Sequence, residues 1–131
     1  MVIASGLLAI CSPFTPADVQ DIMRGLRAIQ HRGPHTWGVS CVEKGTIVGQ
    51  TNIGLVPNNN NISKPYPIQT AIAHVGYFVG TNSSIGFLPK KKELAQPALR
   101  TSHRGDFAVA FNGKLGPIRF LETEQEERGV I

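Results

Sequence analysis

A chain of 131 residues has the length of one domain and is long enough to bury a core. Hydrophobic residues make up 41%, charged residues only 17%, and 14 glycines with 9 prolines mark a turn-rich globular chain, which excludes fibrous and disordered classes. Part of the net charge of +4 comes from Lys90-Lys91-Lys92, a run in a predicted loop with no regularly spaced aromatic partners, so it reads as solvated surface and nucleic acid is not the expected partner.

Cys11 and Cys41 sit in apolar, strand-like runs without CxxC or metal-cluster spacing, so neither a metal nor a cofactor is expected. Cys11 reads as a buried structural thiol. No apolar run approaches the ~18 residues of a membrane span. The segment Met1 to Gly6 lacks the basic region and cleavage pattern of a secretory leader, so the expected setting is reducing and cytoplasmic.

Taken in order, Leu7 to Cys11 is apolar without alternation, which predicts a strand buried on both faces. Thr15-Pro16-Ala17-Asp18 carries helix-start signals, with Thr15 as N-cap, Pro16 at the first helical position and Asp18 favouring the dipole. Val19, Ile22, Met23, Leu26 and Ile29 then recur at helical spacing and predict one buried face. Gly25 in the middle of that helix marks close packing. Gly33 as C-cap and Pro34 end it.

Thr36 to Val42 and Thr46 to Thr51 are β-prone and joined by Glu43-Lys44-Gly45, a hairpin. Trp37 is expected in the core. Asn58 to Asn61 is a polar loop, and Thr70 to Val75 a further buried strand running into Gly76-Tyr77-Phe78-Val79. A long loop from Gly80 to Ala95 precedes a second predicted hairpin, whose two apolar runs flank Ser102-His103-Arg104-Gly105. Its second run, Phe107 to Phe111, stops at Asn112-Gly113. That pair is either an ordinary Asn-Gly turn or a place where a side-chain amide and a backbone N–H converge on one point, as in an oxyanion hole. Ile118 to Arg128 reads as a Glu-rich helix capped by Gly129, with Val130-Ile131 starting another strand. The order predicts an α+β layered fold in a single domain over 1–131.

Four stretches, in order, resemble the class II (N-terminal nucleophile) glutamine amidotransferase domain, in particular the glutaminase domain of amidophosphoribosyltransferases. Ser5-Gly6-Leu7-Leu8-Ala9-Ile10 is similar to Cys-Gly-Ile-Phe-Gly-Ile. Leu26 to Pro34, containing Gln30-His31-Arg32-Gly33, together with Trp37-Gly38-Val39, resembles Leu-Gln-His-Arg-Gly-Gln…Ala-Gly-Ile. Ile72-Ala73-His74-Val75-Gly76-Tyr77 is similar to Ile-Gly-His-Val-Arg-Tyr. Gln96-Pro97 and Phe107 to Leu115 resemble Gln-Pro…Ile-Ala-Leu-Ala-His-Asn-Gly-Asn-Leu. The resemblance spans nearly the whole chain, and Gln-His-Arg-Gly is its most specific part.

It implies a partial αββα sandwich, two sheets with helices on the outer faces, of which the C-terminal half of the family domain is missing. It also implies a place in purine biosynthesis and glutamine as substrate. In the family an N-terminal Cys attacks the glutamine amide with its own α-amino group as base. An Asn-Gly pair holds the oxyanion, and the arginine of His-Val-Arg-Tyr binds the substrate carboxylate. Carried over, the nucleophile position is Ser5, the oxyanion positions are Asn112 and Gly113, and the substrate-binding positions are Arg32, Gly76 (where the carboxylate-binding Arg is lost) and Tyr77. Ser5 follows Met1 to Ala4, so its nitrogen is an amide and not a base. Phe78-Val79 replaces Ser-Thr, Phe111 replaces His, and the segment with the ammonium-binding Asp is expected to lie past Ile131.

His31 and His74 are expected to act as structural hydrogen-bonding residues, and His35 and His103 carry no functional signal. The expectation is therefore a domain of this lineage that has lost glutaminase chemistry and serves as a regulatory, interaction or vestigial module, a pseudoenzyme. The alternative is an active or truncated glutaminase domain that supplies ammonia. An incomplete sandwich would leave sheet surface uncovered, which predicts a homo-oligomer or a covering partner protein.

Overall fold

The computed structural model describes residues 5–58, 68–77 and 95–113. Met1 to Ala4, Asn59 to Asn61, Phe78, Val79, the lysine run and the helix expected over 118–128 lie outside the described residues. Among the described residues there are six strands and one α-helix: β1 Gly6–Cys11, α1 Val19–Ala28, β2 Thr36–Glu43, β3 Thr46–Ile53, β4 Thr70–Gly76, β5 Ala98–Ser102 and β6 Gly105–Val109. Four strands form an antiparallel sheet in the order β1-β4-β2-β3, and β5-β6 is a separate hairpin. This arrangement is α+β.

Directly paired residues share a face of a sheet, so the register sorts the side chains. Leu8 pairs with Ala73 and Val39 with Ala73, which places all three on the side of α1. There Ile22, Met23 and Leu26 of the helix meet Trp37, Cys41, Ala71, Ala73 and Val75 in one core. Each fully buried aliphatic contributes about 1.5–3 kcal/mol. Trp37 lies in the core as its sequence context predicts. At Gly25 a Cβ would come within 2.6 Å of Leu8 Cδ2, so helix and sheet approach closely there.

The opposite face carries Gly38, Ser40, Ile72 and His74, and the β5-β6 hairpin packs on it. A Cβ on Gly38 would collide with the carbonyl oxygen of Gln96, and one on Gly49 would lie 2.8 Å from Leu99 Cδ1. Ala108 and Ser40, Val42, Ile47, Thr70 and Ile72 line a cleft of about 140 Å³ between the layers.

Three expectations are corrected. The helix begins at Val19 with Asp18 as N-cap, not Thr15. Ala17 is held extended by reciprocal backbone bonds with Ile68, both 2.8 Å, so the helix cannot start before it. Asp18 accepts from Gln20 N–H at 3.0 Å, and Asp21 accepts from Asp18 N–H at 3.2 Å. The helix also ends early, at Ala28, followed by a 3-10 turn over Gln30–Arg32. Gly33 there is extended (φ −164°), not left-handed. Its lack of a side chain serves contact instead, since a Cβ would lie 2.6 Å from the backbone of Gly76. Finally, β1 is an edge strand with alternating burial, not one buried on both faces, and Cys11 is exposed while Cys41 is buried. Leu7, Ala9 and Cys11 point away from the helix, and the hairpin leaves them accessible.

Both hairpins form as expected. Lys44 (φ 49°) and Gly45 (φ 78°) make a two-residue turn with both residues left-handed, the geometry that follows strand twist. In the second hairpin Ser102 Oγ donates to the Gly105 carbonyl at 2.8 Å and accepts from Arg104 N–H at 3.2 Å.

Candidate functional site

Ser5 stands just before β1. Its backbone N–H donates to Asn112 Oδ1 at 3.2 Å, although 107 positions separate the two residues. Arg32, at the end of the 3-10 turn, donates from Nε to the Ser5 carbonyl at 3.4 Å. Gly6 lets these parts close up: a Cβ there would meet Val75 Cγ2 at 2.8 Å, Ile29 Cδ1 at 3.0 Å and Arg32 Cβ at 3.3 Å. The structure thus brings Ser5, Arg32 and Asn112 together at the sheet end where β1 starts and β4 finishes.

Asn112 and Gly113 follow the end of β6. Gly113 has φ +153°, and a Cβ there would be 2.9 Å from the Phe111 ring, so a larger residue is disfavoured on both counts. Phe111 itself is fixed through its main chain. Its N–H donates to Gln96 Oε1 at 2.6 Å, and its carbonyl lies 3.2 Å from His74 Nε2. His74 is buried in β4, and desolvation lowers its pKa below the ordinary histidine value, opposed by the bond to Phe111. The ring is therefore neutral at pH 7. It acts as a structural hydrogen-bonding residue, as expected, whereas His31 is exposed.

Gly76 and Tyr77 join this group through Gly33 and His35. The Gly76 backbone presses on Gly33, and its carbonyl accepts from His35 N–H at 3.0 Å. The His35 ring stacks on Tyr77 with centroids 4.9 Å apart and planes 24° from parallel. His35 was expected to carry no functional signal; its stack on Tyr77 is a structural contact, and no local pattern ties two rings so far apart in sequence. Gln30 was also not singled out. Its Nε2 donates to the Gly33 carbonyl at 2.8 Å and its Oε1 accepts from Val56 N–H at 2.7 Å, which secures the turn carrying Arg32.

Chemically, the arrangement offers an exposed amide side chain, a hydroxyl and a guanidinium at one sheet end. With Oδ1 of Asn112 occupied by Ser5, its Nδ2 end is left as a donor. Neither of two clefts, about 180 and 140 Å³ in volume, is lined by Ser5, Arg32 or Asn112. Among the described residues no helix is long and apolar enough to cross a membrane.

The chain is similar over most of its length to proteins named amidophosphoribosyltransferase. That of Staphylococcus aureus is 28% identical over 134 residues, covering 97% of this chain and 26% of the relative. That of Staphylococcus epidermidis is 31% identical over 137 residues, covering 97% and 26%. Amidophosphoribosyltransferase 3, chloroplastic, of Arabidopsis thaliana is 32% identical over 108 residues, covering 81% and 19%. The chain spans about a fifth to a quarter of the length of these relatives. No family model matches it, and no solved structure does.

Proposed function

We propose that this chain is an amidophosphoribosyltransferase-like glutamine amidotransferase domain, of N-terminal-nucleophile descent, that has lost glutamine hydrolysis and works as a regulatory or interaction module. The observation that carries the reading is the bond from Ser5 N–H to Asn112 Oδ1, with Arg32 on the Ser5 carbonyl. It joins the nucleophile position to the oxyanion position, which the resemblance assigns from opposite ends of the chain. Similarity to the named relatives supports the lineage.

Loss of turnover follows from what the same atoms can do. The Ser5 nitrogen is acylated by Ala4. Its lone pair is delocalised into the peptide bond, so its N–H donates a hydrogen bond to Asn112 and the nitrogen cannot take a proton from a hydroxyl. Gly76 offers no cation to a substrate carboxylate, and hydrogen bonds to charged groups are worth about 1.5–3 kcal/mol each.

One observation favours a second reading. Ser5 already lies against Asn112, so cleavage of the Ala4–Ser5 bond would expose an α-amine at that position. Ser5 Oγ would then attack the glutamine amide carbon and pass its proton through the amine to the leaving ammonia. Water would release glutamate from the ester. The test is ammonia release from glutamine by the full chain and by a chain beginning at Ser5, each with Ser5→Ala as control. We expect none from the full chain. Turnover by the full chain that Ser5→Ala abolishes would overturn the loss of activity, and turnover by the shortened chain alone would establish the second reading.

A further inference from the structure

Phe111 lies between the end of β6 and Asn112, and side chains from two other parts of the fold take both of its main-chain polar groups. Gln96, just before β5, accepts its N–H at 2.6 Å; His74, inside β4, sits 3.2 Å from its carbonyl. A carbonyl can only accept, so the imidazole carries its proton on Nε2. Nδ1 is then a buried lone pair with no partner among the described residues. Leucine at this position would bury no such orphan, so what the imidazole adds is the donor at Nε2.

The grip is two-sided, and its consequence lies one residue on. With N–H and C=O both held, rotation of the peptide planes flanking Phe111 is opposed by two hydrogen bonds, which sets the direction in which Asn112 leaves. That direction puts Oδ1 at 3.2 Å from Ser5 N–H. The remaining link to Ser5, from Arg32 Nε, is longer, at 3.4 Å.

We propose that His74 and Gln96 are positioning residues that clamp Phe111 and thereby hold the Asn112 amide on Ser5. That Ser5 and Asn112 are the nucleophile and oxyanion positions rests on the reading above; the hold on Phe111 does not.

The test is amide hydrogen exchange by NMR in the full 131-residue chain, with the β2–β4 ladder amides as internal reference. His74→Leu removes the donor but keeps bulk, and is expected to speed exchange at Ser5 on the order of tenfold, the effect of one hydrogen bond, with the ladder unchanged. His74→Gln offers an Nε2–H donor at similar reach and is expected to restore protection. Gln96→Met, outside the helix-side core, is expected to speed exchange at both Phe111 and Ser5, and it keeps the test available if His74→Leu does not fold. In the unsubstituted chain, imidazole nitrogen shifts are expected to report the Nε2–H tautomer. The opposite tautomer, an unchanged Ser5 in His74→Leu or Gln96→Met, or equal acceleration of Ser5 and the ladder would each overturn the clamp. No step measures ammonia, so a failed clamp and a failed glutaminase reading are separate results.

Discussion

The two faces of the four-stranded sheet are built from the same strands and closed by different physics. Toward α1, β4 presents Ala71, Ala73 and Val75, and the helix answers with Ile22, Met23 and Leu26. Toward the hairpin, β4 presents His74 and β2 presents Thr36, Gly38 and Ser40. Apolar burial is non-directional, so the helix face gains stability without fixing any one atom. The hairpin face is tied by individual bonds: Gln96 and His74 to Phe111, Ser5 to Asn112. Such bonds are directional and each adds little net stability. A site needs atoms in set positions, and the bonds that place Phe111 and Asn112 belong to the second kind of face. One face supplies the fold's stability; the other spends its contacts on placement.

The strongest way to break this division is to empty the helix side. Leu26 is fully buried, and Leu26→Ala is expected to lower stability by about 3 kcal/mol, the usual range being 2–5 for such truncations. Urea unfolding reads the loss. In the remaining folded molecules Ser5 and Phe111 amides should keep their protection, because no bond on the hairpin side is touched. Next in size is Gly38→Ala. Its new Cβ would meet the Gln96 carbonyl, and overpacking of this kind costs about 1–3 kcal/mol. Here the expected damage is local: Phe111 exchanges faster while the amides of α1 do not. A neutral Gly38→Ala would mean that sheet and hairpin are not in close contact, and the comparison of faces would fail.

Much of the helix side was legible in the sequence, because periodicity states which side chains share a face. The stripe Val19, Ile22, Met23, Leu26 and Ile29 needs only its spacing to be read; the first four are buried, and Ile29, just past the helix end, packs against them partly buried. Both hairpins announced themselves through turn residues. What sequence could not show were contacts between distant segments. Thr15 and Asp18 are both good N-caps, and the choice is made by Ala17 bonding to Ile68, some fifty positions away. Leu7 to Cys11 is apolar throughout, so its alternation of burial is invisible until β1 is known to be an edge. For the site, motif order named Ser5, Arg32 and Asn112, and the structure brings those three together. The roles of Gln30, His35 and Gln96 depend on partners on other elements, and no spacing rule reaches them.

A smaller effect sharpens the contrast from the helix side. Asp18→Ala removes the acceptor for Gln20 N–H and half of the capping box, and is expected to cost about 1 kcal/mol. The urea midpoint should fall with no change in the exchange rate of Phe111 relative to the β2–β4 ladder.

The gentlest probe is pH, and on the hairpin side it acts through His74. Burial lowers the pKa of this group below the ordinary histidine value of about 6.5. As pH falls through about 6.5, the unfolded chain binds the proton that the folded chain still refuses, so the unfolded state is favoured. The contribution of neutral His74 is thus fully present above that pH and is lost progressively beneath it, until the folded ring also protonates. Other groups titrate over the same interval, so the informative quantity is the difference between the unsubstituted chain and His74→Gln. Urea midpoints measured at pH 7.5 and pH 5.5 should drop further in the histidine chain than in the glutamine chain. Equal drops would show that His74 is not the group resisting the proton. With the larger drop, the same imidazole that fixes Phe111 sets how the hairpin side responds to acid.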